Sequence, residues 1–195
     1  MFTPWGYEVE ELPPIMDAED YLAKFGGVHA SDAGLAAALD AASAAVRNVC
    51  GWHVAPSLEC VANVTAEGRL VRLPARLVTA ISEVSENGAA LSTGAYEAHT
   101  NGLLRRCEFA NWASGWQAVH VEYSAGFDVD ACPDLADVLA RIVDAALTVP
   151  AGVASETAGN VSISYSAAQG ALAASSALAY APLLGVYMLV GAHAA

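Results

Sequence analysis

Residues Val119–Leu147 contain the feature that most constrains the fold of this 195-residue chain. The segment begins with strict alternation that places Val119, Val121 and Tyr123 on one face, which predicts a strand with one buried side. A glycine turn and an acidic loop follow. Pro133 then opens an apolar-periodic segment that predicts a helix, because proline suits the first helical turn. A strand–turn–helix joint favours a mixed fold, and no catalytic motif lies in it.

Three helices are predicted outside the strands. Asp17 is a typical N-cap and predicts a helix at 17–25, which Gly26-Gly27 ends. A second helix is predicted at 32–50 from an apolar stripe with spacings of three or four, and the third at 133–148. The stripe of the second helix consists of Leu35, Leu39, Ala42, Val46 and Val49.

The region 57–125 is predicted to be rich in β-strands. Leu58–Thr65 and Arg69–Leu73 read as strands around a Glu67-Gly68 turn. Asn87-Gly88 and Asn101-Gly102 each separate two apolar runs, which predicts hairpins with type I′ turns.

Together these elements predict an α+β fold. We expect a helical bundle, made of the two N-terminal helices and the helix at 133–148, with a β-rich hairpin insertion and an extended C-terminal arm ending in a helix. The expected organisation is an N-terminal arm at 1–14, a single domain at 15–150, and an uncharged arm and helix at 151–195. Glu156 is the only formally charged side chain after Asp144, so we expect this arm to be buried against a partner.

The charge balance excludes some classes of partner. The formal net charge is −13, and an acidic chain repels phosphate, so binding in a nucleic-acid groove is not expected. Five of the eight basic residues lie in one short stretch: Arg69, Arg72, Arg76, Arg105 and Arg106. No membrane-spanning helix is expected, because Pro182 interrupts the apolar run at 171–190.

Candidate chemical sites are few. Cys50, His53 and Cys60 could suggest zinc, but their spacing matches no structural-zinc pattern, so buried thiols and a structural histidine are favoured. Cys107 beside Arg106 could be a reactive thiol, yet no motif places a histidine next to it. The widely spaced cysteines favour a reducing cytoplasm.

Two further alternatives stay open at this stage. A hydrolase would use a serine or cysteine with His120 or His53, but no triad spacing is visible. A small carbohydrate- or peptide-binding module would use surface aromatics at Trp112, Trp116 and Tyr123, whereas an aromatic core beneath the sheet is the more common arrangement.

Four blocks in order resemble the head–tail connector proteins of long-tailed bacteriophages, also called adaptor or head-completion proteins. The first is Asp17-Ala-Glu-Asp-Tyr-Leu followed by the helix from Leu35 to Trp52, and the second is Val71-Arg-Leu-Pro74 leading to Val84 and Asn87-Gly88. The third comprises Tyr96, Asn101-Gly102-Leu103, Trp112 and Val121-Glu-Tyr-Ser-Ala-Gly-Phe127. The fourth is Cys132-Pro-Asp-Leu135 with its helix, then Glu156 to Tyr165 and a terminal helix ending near Tyr187.

This resemblance implies a structural virion protein, made in the host bacterial cytoplasm and located in the neck, without catalytic activity or cofactor. It implies a homo-oligomeric ring beneath the portal, typically of twelve copies, that extends the DNA channel and supports the tail through the next head-completion or tail-terminator protein. DNA would pass without specific binding. Candidate contacts with the portal or a neighbouring subunit are Tyr165, Leu183, Leu184, Tyr187 and Leu189. The candidate acidic channel wall consists of Asp128, Asp130, Asp134 and Asp137.

Overall fold

The computed structural model describes residues 1–26, 34–148, 155–158, 161–164 and 169–189. The chain forms two compact units. The first comprises the described residues of 1–13, 51–128 and 187–195, and the second those of 14–50 and 129–186. The expected division into one domain flanked by two arms stays a prediction.

The first unit contains two antiparallel sheets. In chain order its strands are β1 (Glu8–Val9), β2 (Leu58–Val64), β3 (Leu70–Arg72), β4 (Val78–Glu86), β5 (Ala89–Ala90), β6 (Tyr96–Ala98), β7 (Leu103–Arg106) and β8 (Val119–Ala125). The larger sheet has the order β1-β2-β8-β4-β5, and the smaller has the order β3-β7-β6. Because β2 and β3 lie in different sheets, the predicted strands on either side of Glu67-Gly68 do not pair with each other.

Strand β8 is the centre of the larger sheet, paired with β2 on one side and β4 on the other. Its side chains at Val119, Val121 and Tyr123 are fully buried, while the intervening residues are half-buried. The alternation in the sequence therefore predicts the buried face of the strand.

The two Asn-Gly turns differ. Asn87 and Gly88 have φ values of 50° and 79°, as a type I′ turn requires. In the second turn Gly102 has a positive φ but Asn101 does not, so the type I′ prediction is wrong there. Instead the Asn101 side chain accepts a hydrogen bond from the Leu103 N–H at 3.2 Å. A Cβ on Gly102 would lie 2.7 Å from the carbonyl oxygen of Ala75, which explains the glycine.

The second unit contains the helices and a short hairpin. The helices are α1 (Ala18–Phe25), α2 (Leu35–Cys50), α3 (Pro133–Thr148), α4 (Gln169–Ala179) and α5 (Ala181–Leu184), and the hairpin pairs β9 (Ser155–Ala158) with β10 (Val161–Ser164). Helices α2, α3 and α4 pack against one another. Helix α1 begins after Asp17, whose carboxylate accepts the Asp20 N–H at 2.8 Å.

The mixture of helices and antiparallel sheets is that of an α+β protein, while the predicted arrangement of a bundle with a hairpin insertion stays a prediction. The apolar stripe of α2 is buried at Leu35, Leu39, Ala42 and Val46. Residues 32 and 33, where the second helix was expected to begin, lie outside the described residues. Within the described part of the chain, no helix is long and apolar enough to cross a membrane.

Candidate assembly surfaces

The four aspartates of the candidate channel wall are all exposed. Asp128 belongs to the first unit, and the other three belong to the second. Asp130 accepts a hydrogen bond from Lys24 at 2.5 Å, and because both side chains are open to solvent this ion pair adds little stability. Asp134 lies in the first turn of α3, where its charge complements the positive end of the helix. A role in a channel wall stays a prediction.

A fifth carboxylate on the same helix has a structural partner. The Tyr21 hydroxyl of α1 donates to Asp144 of α3 at 2.9 Å. Burial, and then the hydrogen bond to Asp144, raises the pKa of Tyr21 above its ordinary value. The contact joins residues 123 positions apart, and no local sequence pattern indicates it.

The candidate contact residues of the C-terminal segment lie in different environments. Tyr165 is outside the described residues. Leu183 is exposed, Leu184 and Tyr187 are buried, and Leu189 is half-buried. Their contacts with a portal or a neighbouring subunit stay predictions.

Tyr187 is held within the first unit by an aromatic cluster. Its carbonyl accepts the Trp52 indole N–H at 2.6 Å, and its ring meets the Phe127 ring edge-on at a centroid distance of 4.9 Å. Phe127 in turn packs against Trp52 at 5.9 Å. This cluster fixes the end of the described chain to the larger sheet's unit, and the sequence signals neither contact.

Large apolar side chains are exposed in the last part of the second unit, from α4 to just after α5. Leu178, Leu183 and Val186 expose 67%, 59% and 64% of their surface within nine residues. Three large apolar side chains exposed within one short segment are candidates for an interaction surface. Sequence reasoning found Leu183 but missed the other two, because the small residues around them give no helical period.

The aromatic platform proposed for a carbohydrate- or peptide-binding module does not form. Trp112 is buried with its indole N–H donating to the Arg69 carbonyl at 3.0 Å, and Tyr123 is fully buried. Only Trp116 of the three is exposed, at 85%. The sheet uses the other two rings as core, so the prediction of a shared platform is wrong.

Three of the residues considered for zinc or hydrolytic chemistry, Cys50, His53 and Cys60, lie in the core, whereas Cys107 and His120 are half-buried. Burial raises the pKa of the Cys50 thiol to about 12, and burial followed by the Glu59 charge does the same for Cys60. His53 is fully buried, with one ring nitrogen 2.7 Å from the Tyr7 hydroxyl and the other 2.8 Å from a backbone carbonyl. Among the described residues, no group of three histidine, cysteine or acidic side chains could hold a metal ion.

Three of the eight basic residues lie on the smaller sheet, and Arg69 directly precedes it. Arg105 pairs with Glu97 at 2.5 Å, and Arg106 lies 3.4 Å from Glu86. Arg69 places its guanidinium 4.9 Å from the centre of the Phe109 ring. The Arg72 side chain is exposed and makes no hydrogen bond or ion pair with the described residues.

Comparison with solved structures gives two matches over nearly the whole chain. One is described as "Neck of native GTA particle computed with C12 symmetry": TM-score 0.58, 16% identity, covering 94% of this chain and 96% of that chain. The chain has the fold of a phage-like neck protein. The other match is described as "Neck of empty GTA particle computed with C6 symmetry", with a TM-score of 0.57, 17% identity and coverage of 94% and 95%.

A GTA is a phage-like gene transfer agent, so the resemblance to head–tail connector proteins is confirmed at the level of the fold. No protein-family model and no curated protein sequence matches the chain. At 16% and 17% identity these matches show the fold alone, so the contacts of this chain depend on its own side chains.

Proposed function

We propose that this chain is a structural component of the neck of a phage-like particle, a head–tail connector without enzymatic activity. The observation that carries the proposal is the likeness, over 94% of the chain, to two neck structures. We further propose a ring beneath the portal, of twelve copies by analogy with the C12 symmetry of one neighbour. The ring would extend the DNA channel and support tail attachment through the next head-completion or tail-terminator protein.

The exposed apolar side chains support an assembled state. Leu178, Leu183 and Val186 present apolar surface to water in the isolated chain. In a closed ring every copy makes the same contacts, so one such surface is covered in all copies at once. We propose this segment, with Leu183 at its centre, as the contact with a neighbouring subunit or with the portal.

The charge of the chain supports a channel that DNA crosses without binding. A net charge of −13 repels phosphate, and the exposed aspartates at 128, 130, 134 and 137 are candidates for the channel wall. A wall of this kind would keep DNA moving, because attraction to the backbone would slow its exit.

Electron microscopy of particles purified from a producing cell tests the location. Antibody against this chain, or a fused density marker, is expected to label the neck between head and tail. Particles lacking the chain are expected to have filled or leaking heads without tails. Labelling of the tail tip or absence from the particle would contradict the proposal.

The channel wall needs its own test. Replacing the four aspartates by asparagine is expected to leave the chain folded and assembled and to slow DNA ejection from particles in vitro. A control with the same change in charge replaces Glu19, Asp40, Glu83 and Glu108 by their amides, since these are also exposed. Equal ejection rates in the two variants would remove these aspartates from the channel wall.

A further inference from the structure

One groove of the first unit combines aromatic rings with an unpaired cation. It has a volume of about 490 Å³ and lies beside the end of β2, at Val64 and Thr65. Trp5, Arg72 and Trp116 line it, and we name it the Arg72 groove. Trp116 is 85% exposed, and the loop that carries it is fastened by the Gln117 N–H, which donates to the Thr65 hydroxyl at 2.9 Å.

The Arg72 groove has the chemistry to receive a carboxylate. Arg72 is exposed and has no ion-pair partner among the described residues, unlike Arg105 and Arg106 on the neighbouring strand. A guanidinium offers several N–H donors in a planar fork that fits a carboxylate, and the two tryptophans in the lining offer apolar surface to the neighbours of that carboxylate. The expected occupant is therefore a short acidic segment with apolar neighbours.

Such a segment lies beside the other end of β2. Glu10 and Glu11 follow β1, and they line a second groove of about 400 Å³ with Pro13 and Glu59. The register of β1 on β2 pairs Val9 with Cys60, which brings Glu10 opposite Glu59. Glu10 and Glu11 are exposed, and neither forms an ion pair with the described residues. This Glu10–Glu11 segment therefore presents uncompensated negative charge.

The distance between the two sites excludes pairing within one chain. The Arg72 groove borders Val64 and the acidic groove borders Leu58, the two ends of β2. Six strand steps at about 3.3 Å separate them by roughly 20 Å. Both grooves are bordered by the same strand, β2, so the complementary charges can meet each other only between two copies.

We propose that the Arg72 groove of one copy binds the Glu10–Glu11 segment of the next copy. This inference rests on the proposed ring and names one of its contacts. A ring needs a head-to-tail interface in which two different surfaces of the subunit are complementary, and these two surfaces have opposite charge at separate places. Each copy would then give its acidic segment to one neighbour and receive another from the opposite side.

Charge reversal on each side of the contact tests this. Native mass spectrometry and negative-stain microscopy of the purified full chain measure the assembled fraction against protein concentration. Arg72→Glu, and separately Glu10→Lys with Glu11→Lys, are expected to raise the concentration for half-assembly at least about tenfold, because a like-charge contact replaces an attractive one. Circular dichroism is expected to show unchanged folding, since none of the three side chains is buried.

Two controls match these variants in charge. Arg105→Glu changes another exposed arginine of the smaller sheet, one that does not line the Arg72 groove. Glu83→Lys with Glu108→Lys changes two exposed glutamates elsewhere in the unit. Both are expected to assemble as the unmodified chain does. The decisive arm mixes the two defective variants. The carboxylate introduced into the groove of one variant then faces the two ammonium groups introduced into the N-terminal segment of the other, and assembly is expected to return.

The outcomes separate the inference from the proposed function. If rings still form in both charge-reversal variants, the proposed contact is wrong and the connector proposal stands. The same holds if the variants lose assembly and mixing them does not restore it. A closed dimer that shows the reversal and rescue pattern supports the contact and contradicts the ring. A chain that stays monomeric at every concentration contradicts both. The Arg72→Glu variant could also assemble normally in solution and yet be missing from particles. That result would assign the groove to another neck protein and overturn the pairing of two copies.

Discussion

The hydroxyl group of Tyr7 offers a test of how much buried hydrogen bonds stabilise the first unit. Tyr7 is fully buried, and its hydroxyl lies 2.7 Å from Nδ1 of His53 and accepts the His53 backbone N–H at 3.0 Å. The other ring nitrogen of His53, Nε2, is 2.8 Å from the carbonyl oxygen of Ala125 and must carry the proton, because a carbonyl only accepts. Nδ1 is then an acceptor, and the Tyr7 hydroxyl donates to it.

Tyr7→Phe removes both hydrogen bonds without changing the shape of the ring. A net contribution of about 0.5–1.5 kcal/mol for each bond gives a loss of about 1–3 kcal/mol in the free energy of unfolding. The buried setting favours the upper half of that range, since water cannot readily replace the lost partner. The bonds fasten the segment before β1 to the loop that precedes β2, so we expect the first unit to lose stability.

Tryptophan fluorescence during urea denaturation is the appropriate assay. All four tryptophans, at positions 5, 52, 112 and 116, belong to the first unit, so the signal reports the unfolding of that unit. The midpoint is expected to fall with an unchanged slope, which marks a loss of stability rather than a change in the exposed surface.

A second tyrosine provides a control of opposite sign. The Tyr123 hydroxyl is buried and has no hydrogen-bond partner in the described part of the chain. Tyr123→Phe therefore removes a desolvated polar group and is expected to leave the stability unchanged or raise it by up to about 1 kcal/mol. Equal losses in Tyr7→Phe and Tyr123→Phe would refute the reasoning, because ring packing rather than hydrogen bonding would then set both values.

Three further predictions concern the same unit and the buried thiols. Gly126→Ala is expected to cost at least about 1–3 kcal/mol in urea denaturation, because φ is +128° and a Cβ would collide with the carbonyl of Pro56, whereas Gly94→Ala meets nothing and is expected to be near neutral. Burial raises the pKa of Cys50 and Cys60 to about 12, so iodoacetamide at pH 8 is expected to label only the other two cysteines, which are half-buried; mass mapping that finds all four labelled in the native state would contradict this. The unfolded chain releases these two thiol protons above about pH 8.5, whereas the native chain retains them. The free energy of unfolding is therefore expected to be highest below that pH and to fall as the pH rises toward 12. A urea midpoint that stays constant from about pH 8 to about pH 10 would contradict this.

Local patterns in the sequence predict local structure well in this chain. The alternation from Val119 predicts the buried face of β8, and Asn87-Gly88 predicts the turn between β4 and β5. Asp17 predicts the beginning of α1, because its carboxylate satisfies an N–H that the helix itself leaves free. In each of these cases the residues that cause the structure lie within a few positions of one another.

Contacts between distant residues were not predictable in the same way. Strand β1 has two residues and no usable period, and its place at the sheet edge depends on pairing with Cys60 and Val61, about fifty positions away. The Tyr7 hydrogen bond to His53 and the position of Glu10 and Glu11 beside the start of β2 follow from that pairing. The sequence shows the cluster of arginines and the run of glutamates, but only the register of the sheet determines how far apart they lie.

In the proposed ring, copies of an acidic chain have to bind one another although their net charges repel. Copies that each carry a charge of −13 repel one another, and at 0.1 M salt this repulsion is screened beyond about 10 Å, while contacts at shorter range persist. Cohesion must therefore come from short-range contacts. The exposed apolar residues at 178, 183 and 186 and the Arg72 groove are the surfaces proposed for such contacts, and neither depends on the net charge. Three of the eight basic residues lie on the smaller sheet, and one of them, Arg72, has no acidic partner in the described part of the chain. The Arg72 groove would therefore attract an acidic segment of a second copy, while the acidic surface elsewhere would repel DNA.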